Sequence, residues 1–321
     1  MYLVKTENIA VPAINLAIEE YLVRKVNSED EFLYLYVNEP SVIIGKHQNP
    51  FEEVNLNFCR NSNINVYRRI SGGGTVYHDK GNLNFCYITQ STQKNFNVYK
   101  QFLTPIVEYL NSIHVKAEIN SRNDLIIGSQ KISGNAQFTS RKRMLSHGTL
   151  LFNADLQNVS LALKTSLEVV SKSTKSYRSP VTNISAHLNK SFSMEIFKEQ
   201  VEKSICKTYK CLKQFELSNS DWNEIKKLAR SKYISWDWNY GLTPPFSFIA
   251  ENNDLEFKVK FEIRECKISG IEIERDDKNL CARLWPLIKD TPFEKISLRK
   301  ILLTEFNESF TNKIIASIYP F

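Results

Sequence analysis

Only ten glycines serve this chain of 321 residues, and eight of them lie between Gly45 and Gly148, three in succession at Gly72, Gly73 and Gly74. Such a run suits neither a helix nor a strand interior, because glycine loses more backbone entropy on folding than any other residue. It suits a place where the backbone must come close to a ligand. The run sits within residues 67–84, Tyr-Arg-Arg-Ile-Ser-Gly-Gly-Gly-Thr-Val-Tyr-His-Asp-Lys-Gly-Asn-Leu-Asn. Apolar stretches at 64–70 and 83–88 flank it, which favours strand, tight loop, strand over a flexible linker. Arg68 and Arg69 stand just upstream, always charged and shaped as forks that match a carboxylate or phosphate. Forked cations beside bare backbone predict an anion cradle.

The length allows one large domain with a smaller companion. Hydrophobic content of 42% and charged content of 24% are those of an ordinary globular protein. Apolar runs fall short of the roughly 18 residues of a membrane span, and the first residues lack a signal-peptide layout. The expectation is a cytoplasmic protein, or an organelle protein without its presequence, with no membrane partner. Cys59, Cys86, Cys206, Cys211, Cys266 and Cys281 have neither Cys-x-x-Cys spacing nor a histidine cluster, so they read as reduced, mostly buried thiols. A net charge of +7 fits an anionic partner. The basic residues are scattered, however, without a groove-reading helix or a stacking platform, so nucleic acid is unsupported.

Apolar spacing of three and four predicts an amphipathic helix over 8–26 with Pro12 in its first turn. Residues 32–37 and 41–45 read as strands, followed by a polar loop holding His47. Residues 52–60 read as a helix, then 65–70 and 83–89 as strands. His78 and Asp79 suggest a general base with its carboxylate. Neighbours on a strand face opposite ways, which speaks against a direct pair and leaves Asp79 to fix the loop. Helix 99–110 and strand 115–119 precede two extended runs joined at Gly128-Ser129, a hairpin signal that puts Lys131 just past the turn and Ile132 on the other face. A lone hairpin lysine is ordinarily a solvated edge charge. Here a Ser-Gly-Asn-Ala run follows at once, keeping bulk away from the amine.

His147-Gly148-Thr149 opens a strand at 150–153, and Asp155 is placed to cap a helix over 156–163. Residues 168–185 are basic and without period, the mark of a functional loop. Helices at 194–211 and 220–232 follow, and Trp236-Asp-Trp-Asn-Tyr-Gly241 with Thr243-Pro-Pro245 marks a boundary. A hairpin at 255–263 and 267–273 and helices at 298–306 and 311–318 then predict a small α+β domain. The division is 1–244 and 245–321.

At this point the chain resembles lipoate-protein ligases and the related mitochondrial lipoyltransferases. The matching pieces keep their order over most of the chain: Ser41-Val-Ile-Ile-Gly45-Lys-His-Gln-Asn-Pro50, Arg68 to Asp79, Gly81-Asn82, Asn123-Asp124-Leu, Lys131-Ile-Ser-Gly134, His147 to Asp155, Arg178-Ser with Val181-Thr-Asn183, and Trp236 to Gly241. The resemblance implies an α/β (α+β) biotin/lipoate ligase-like catalytic domain, a mixed sheet with flanking helices, and a small α+β C-terminal domain. It implies that Lys131 contacts both the lipoate carboxylate and the α-phosphate of ATP. Arg69, Gly74, Thr75, Val76 and Tyr77 match nucleotide-binding positions, with Ser71, Gly72, Gly73 and His78 in the same motif. Arg122, Asn123, Asp124 and Thr149 match positions lining the acyl-adenylate, and Asp124 is also the candidate ligand for Mg2+.

The implied reaction has two steps. The lipoate carboxylate attacks the α-phosphorus of ATP, and an acceptor lysine then attacks the lipoyl-AMP carbonyl. The implied acceptors are lipoyl domains of 2-oxoacid dehydrogenase complexes and the glycine cleavage H protein. Octanoyl transferases carry the acyl group on a cysteine, and here none lies between Cys86 and Cys206. P-loop and dinucleotide fingerprints are lacking as well. Two alternatives stand beside a ligase: a lipoyltransferase fed with lipoyl-AMP or a lipoylated donor, and a non-catalytic protein that binds lipoate or its adenylate.

Overall fold

The spacing at the start of the chain becomes the helix Pro12–Arg24, whose buried face carries Leu16, Ile18 and Leu22 but also Glu19 and Glu20. The computed structural model describes residues 1–24, 29–91, 98–163, 169–210, 213–276 and 279–319. Residues 26, 168 and 211, the expected limits of two helices and of the irregular segment, lie outside the described residues.

The helix packs on a six-stranded mixed sheet ordered Asn135–Ser140, Arg143–Leu151, Asn82–Gln90, Phe32–Val37, Tyr2–Lys5, Lys213–Glu216. Tyr2–Lys5 is parallel to both its neighbours, and the other pairs are antiparallel. Strand alternation divides the core. Phe32, Tyr34 and Tyr36 join the apolar cluster under Pro12–Arg24, while Leu33 and Leu35 join the cluster that also holds Phe102, Ile106, Phe197 and Val201 from the helices Lys100–Ser112 and Met194–Tyr209. Covered on both faces, Asn82–Gln90 is buried at every position but the last.

Two three-stranded sheets sit beside the large one. In the first, Ser41–Ile44 runs parallel to Asn65–Arg68 and antiparallel to Val76–His78. The second is Ala117–Ile119, Leu125–Ile127 and Gln130–Ser133, with the expected turn at Gly128, whose φ is +58°. A four-stranded antiparallel sheet, Val169–Ser171, Phe246–Asn252, Phe257–Arg264 and Lys267–Asp276, packs with the helices Leu280–Ile288, Lys295–Leu302 and Glu308–Ile318. The apolar core of that C-terminal part runs on without a break into Val42, Ile44, Phe51 and Val66.

The structure corrects several local expectations. The helix read over 52–60 is two, Pro50–Glu53 and Leu56–Asn61, because the side chains of Asn49 and Asn55 each accept a hydrogen bond from a following backbone N–H and restart the turn. The glycine loop is shorter than its sequence, since Val76–His78 pairs as a strand. The Ser-Gly-Asn-Ala run feeds the strand Asn135–Ser140, polar enough to look like a loop, and its partner Arg143–Leu151 begins seven residues before 150. Val169–Ser171, the first described residues of the irregular segment, forms a strand with Phe246–Asn252, itself unforeseen, as were Lys213–Glu216 and the proline-containing helix Leu280–Ile288. Among the described residues no helix is long and apolar enough to cross a membrane. Cys59, Cys86, Cys266 and Cys281 are buried thiols.

Candidate active site

Arg68 and Arg69 are neighbours on a strand end and therefore point opposite ways. Arg68 is wholly buried and turns away from any ligand, donating to the carbonyls of Gly45, Lys46, Gln48, Trp238 and Asn239. The Trp-Asp-Trp-Asn motif answers it, with Trp238 Nε1 donating to Arg68 O at 2.6 Å and Arg68 N donating to Asn239 Oδ1 at 2.8 Å. The expected two-fork anion cradle is corrected accordingly: Arg68 is a staple. Arg69 does line a cleft, but it also donates to Ser71 Oγ, Ile43 O, Gly72 O and Gly74 O, drawing the glycine loop around its guanidinium. Burial pulls both guanidinium groups down to about 10, still charged at neutral pH.

The glycines are explained by backbone meeting backbone. A Cβ on Gly45 would stand 2.1 Å from Gly73 O, and Gly73 itself holds φ +88°. Only glycine fits either position.

The loop borders a cleft with two lobes, of about 230 and 400 Å3, that share Thr75, Val76, Lys131, Gly134, Thr149, Ser176 and Tyr177. Lys131 stands where they meet. Its ammonium lies 2.8 Å from Asp124 Oδ1, an ion pair at the cleft wall, while Ile132 faces the core as the hairpin required. The segment after Ser171 clamps this strand: Lys131 N donates to Pro180 O at 2.8 Å and Thr182 N to Lys131 O at 3.1 Å. Ser176 Oγ accepts from Thr75 N at 2.9 Å and from Gln48 Nε2 at 2.9 Å, and Tyr177 lies under the Arg122 guanidinium, 3.3 Å from ring centroid to Cζ. The segment read as a functional loop thus straps the cleft.

The inner lobe has an apolar side of Leu16, Ile43 and Ala136 and a polar side built on buried hydrogen bonds. His147 Nδ1 is 2.8 Å from Glu19 Oε2, His147 Nε2 is 2.7 Å from Ser71 Oγ, and Arg69 Nε donates to that same oxygen at 2.9 Å. Tyr36 OH donates to Glu19 Oε1 at 3.0 Å. Serine, histidine and acid in this order have the spacing of a nucleophilic triad. Ser71 is fully buried, though, and Arg69 covers its oxygen, so the group braces the lobe wall. The outer lobe is walled by Tyr77, Leu151, Leu156, Val159 and Leu163, with Arg178 and Pro180 from the strap.

Of the residues expected at the site, Arg69, Gly74, Thr75, Val76, His78, Arg122, Asp124, Lys131 and Thr149 line the inner lobe, and Tyr77 lines the outer one. Ser71, Gly72, Gly73 and Asn123 support it from behind. Gly72 and Gly73 hold Arg69 and the loop, and Asn123, at φ +63°, accepts from Asn135 Nδ2 at 2.7 Å. His47 is exposed and outside the cleft, and Asp79 fixes loops by accepting from Gly81 N and Asp155 N. Sequence reasoning missed Glu19, Gln48, Ser176 and Tyr177. Glu19 carried a signal as an acid on the buried face of an amphipathic helix, Gln48 lay in a matching motif, and Ser176 and Tyr177 lay in the segment read as a functional loop without being singled out. Among the described residues no cluster of three acidic, histidine or cysteine side chains is placed for a metal. Asp124 offers a carboxylate oxygen in the inner lobe, and Glu53, which lines the outer lobe, has one oxygen taken by Ser176 N; so sparse a donor set fits a magnesium ion bound mainly through substrate phosphates and water.

An α/β scaffold with a lysine between two ligand-sized lobes describes an enzyme that joins two substrates. Residues 11–206 match the lipoyl protein ligase A/B catalytic domain family. Lipoate-protein ligase 1 of Staphylococcus aureus is 42% identical over 279 residues, 86% of this chain and 85% of that one. The crystal structure of lipoate-protein ligase A bound with ATP superposes with a TM-score of 0.65 at 25% identity, covering 75% of this chain and 98% of that one. P. falciparum LipL1 in complex with lipoate, at 24% identity and TM-score 0.62, shares the fold over 100% of this chain and 99% of its own. The chain belongs to the lipoate-protein ligase family, and it is an enzyme of the ligase class.

Proposed function

We propose that this enzyme activates lipoate with ATP in the two-lobed cleft and transfers the lipoyl group to a lysine of an acceptor protein. The observation that carries the reading is the position of Lys131, a cation that lines both lobes at their waist. Lipoate lies in the inner lobe with its carboxylate toward Lys131. ATP lies in the outer lobe, its base among Tyr77, Leu156, Val159 and Leu163 and its phosphates directed to the waist.

In the first step a carboxylate oxygen attacks the α-phosphorus, the bond to the β-phosphate oxygen breaks and pyrophosphate leaves. Two anions must approach, and the Lys131 ammonium reduces their repulsion and stabilises charge that builds on the α-phosphate oxygens. Asp124 orients that ammonium at 2.8 Å, leaving its other N–H donors for the two substrates. Magnesium, when bound by Asp124 and phosphate oxygens, neutralises phosphate charge. In the second step the neutral amine of the acceptor lysine attacks the anhydride carbonyl, AMP departs and the amine loses its proton. The strap from Ser176 to Val181 keeps the anhydride from water in between.

Acceptors of this chemistry are lipoyl domains of 2-oxoacid dehydrogenase complexes and the glycine cleavage H protein. The use of ATP fits a cytoplasmic enzyme. Residues 1–244 form the catalytic unit and residues 245–321 an accessory unit whose core continues into Val42 and Val66.

The test is pyrophosphate release with lipoate, ATP and magnesium before any acceptor is present. Lipoate-dependent release with lipoyl-AMP retained is expected. Absence of release, together with transfer from supplied lipoyl-AMP, overturns the reading in favour of a transferase.

A further inference from the structure

The strap over the outer lobe is held differently at its two ends. Its far end is fixed through the backbone, with Lys131 N donating to Pro180 O and Thr182 N to Lys131 O. The near end, between Ser171 and Ser176, has one backbone bond among the described residues, Thr174 N to His47 O at 3.2 Å, and otherwise rests on bonds that involve side chains.

Several of those converge on Glu52. Ser171 Oγ and Ser173 Oγ lie 2.6 and 2.7 Å from Glu52 Oε2, and Lys175 Nζ lies 2.9 Å from Oε1. A carboxylate only accepts, so each hydroxyl directs its single hydrogen to Glu52, and Ser171 Oγ in turn accepts from Ser173 N at 3.1 Å. Burial alone would raise the Glu52 carboxyl, but the bonds from Ser171, Ser173 and Lys175 outweigh it and bring the group below its ordinary value. The acid is therefore charged at working pH, and hydrogen bonds to it are of the strong kind.

The two partners in this contact differ in rigidity. Glu52 belongs to Pro50–Glu53, a helical turn capped by Asn49 Oδ1, which accepts from Phe51 N at 2.9 Å. Phe51 pins the turn, wholly buried and stacked on Phe246 with ring centroids 5.1 Å apart. On the other side Lys172, Thr174 and Lys175 are exposed, and residues 174–180 have no regular structure. Loss of a few side-chain bonds frees this near limb, whereas the far limb stays bound to the Lys131 strand. The next residues, Ser176 to Pro180, line the outer lobe. What holds the near limb holds the wall of that lobe.

Resting on the assignment of the nucleotide to this lobe, we propose that Glu52 is a positioning residue whose carboxylate latches the near limb of the strap and sets how long the acyl-adenylate stays bound. The lobe opens on the Glu52 side, about the fixed end at Lys131. Glu52 lines neither lobe, so its loss changes the rate of release and leaves the reacting groups in place.

The experiment loads the full-length enzyme with lipoate, magnesium and ATP labelled on the α-phosphate, with pyrophosphatase present. Unlabelled substrates are then added in excess, and label leaving the protein is followed by rapid filtration. Glu52→Ala is expected to release lipoyl-AMP about tenfold faster than wild type, the scale of lost hydrogen bonds to a charged group. Its single-turnover rate of adenylate formation at saturating substrates is expected to stay within about twofold. Glu52→Gln, which keeps an acceptor for the hydroxyls but loses the charge, is expected to fall between. Ser173→Ala, on a limb without regular structure, is expected to release about threefold faster, and to add nothing further in the Glu52→Ala background because both remove the same contact. Release at the wild-type rate from Glu52→Ala and from Ser173→Ala overturns the proposal. So does a Glu52→Ala enzyme whose adenylate formation falls as far as its retention, the mark of a general distortion of the site. If wild type forms no lipoyl-AMP, the ligase reading fails by itself, and the latch is judged on labelled ATP alone, whose release must still quicken in Glu52→Ala.

Discussion

The two lobes of the cleft are built in opposite ways. The inner lobe is walled by strands of three sheets and the helix Pro12–Arg24, and buried hydrogen bonds run beside it from Glu19 through His147 and Ser71 to Arg69, and from Tyr34 through Asn15 and Asn38 to His78. The outer lobe adds to strand residues such as Tyr77 and Leu151 one short helix, Leu156–Ala162, and a strap held by side-chain contacts to Gln48, Glu52 and Glu53. Preorganised donors suit recognition of one small acid. A wall of apolar side chains and a strap suit a nucleotide that must enter, react and leave as AMP. Lys131 belongs to both.

That contrast breaks most severely at the shared waist. Lys131→Ala is expected to lower lipoate-dependent pyrophosphate release by about a thousandfold, the scale of a lost charge-stabilising donor, while the melting temperature, read by circular dichroism, stays near that of wild type. Arg68→Ala is expected to act on stability instead. It leaves several buried carbonyls unanswered, and urea denaturation is expected to show a loss of about 3 kcal/mol.

Substitutions that fill one lobe sharpen the comparison. Ala136→Leu adds bulk to the inner lobe and is expected to raise the KM for lipoate about thirtyfold, whereas Val159→Phe in the outer lobe raises the KM for ATP about tenfold, each leaving the other substrate within about twofold. Steady-state kinetics with each substrate varied in turn reads both. Swapped effects would exchange the contents of the lobes.

A smaller effect comes from His78 and proton binding. Its folded pKa of about 3 lies below the 6.5 of an unperturbed histidine, so between those values the unfolded chain binds the proton and the native state does not. Stability falls as pH drops from 6.5, by at most about 1.4 kcal/mol per pH unit from this group. Urea midpoints of His78→Gln and wild type are expected to converge as the pH is lowered through that window. A constant difference would show that His78 is not buried and neutral.

The hairpin that presents Lys131 was legible because a turn signal at Gly128 and strand alternation fix which way each side chain faces. Asp155 as a helix cap and Asp79 as a loop fixer were legible for the same local reason. Pairing between distant segments was not. Val169–Ser171 is strand because it meets Phe246–Asn252, a partner 75 or more residues away, whereas Asn135–Ser140, whose partner Arg143–Leu151 follows at once, was missed for its polar composition. The arginine pair was read by type and misread by direction for Arg68.

By itself, the sequence determined the helix and strand periods, the place of the glycine loop and the ordered motifs that identify the family, since these rest on interactions between near neighbours. The tertiary structure alone decided that Arg68 faces the Trp238 motif, that Gly45 must be bare because Gly73 O lies against it, and that Ser176 and Tyr177 reach across to Thr75 and Arg122. It also decided that His78 Nδ1 meets Asn38 while its Nε2 has no partner among the described residues. Direction, close approach and hydrogen-bond completion depend on which segments the fold brings together, and local spacing carries no record of that.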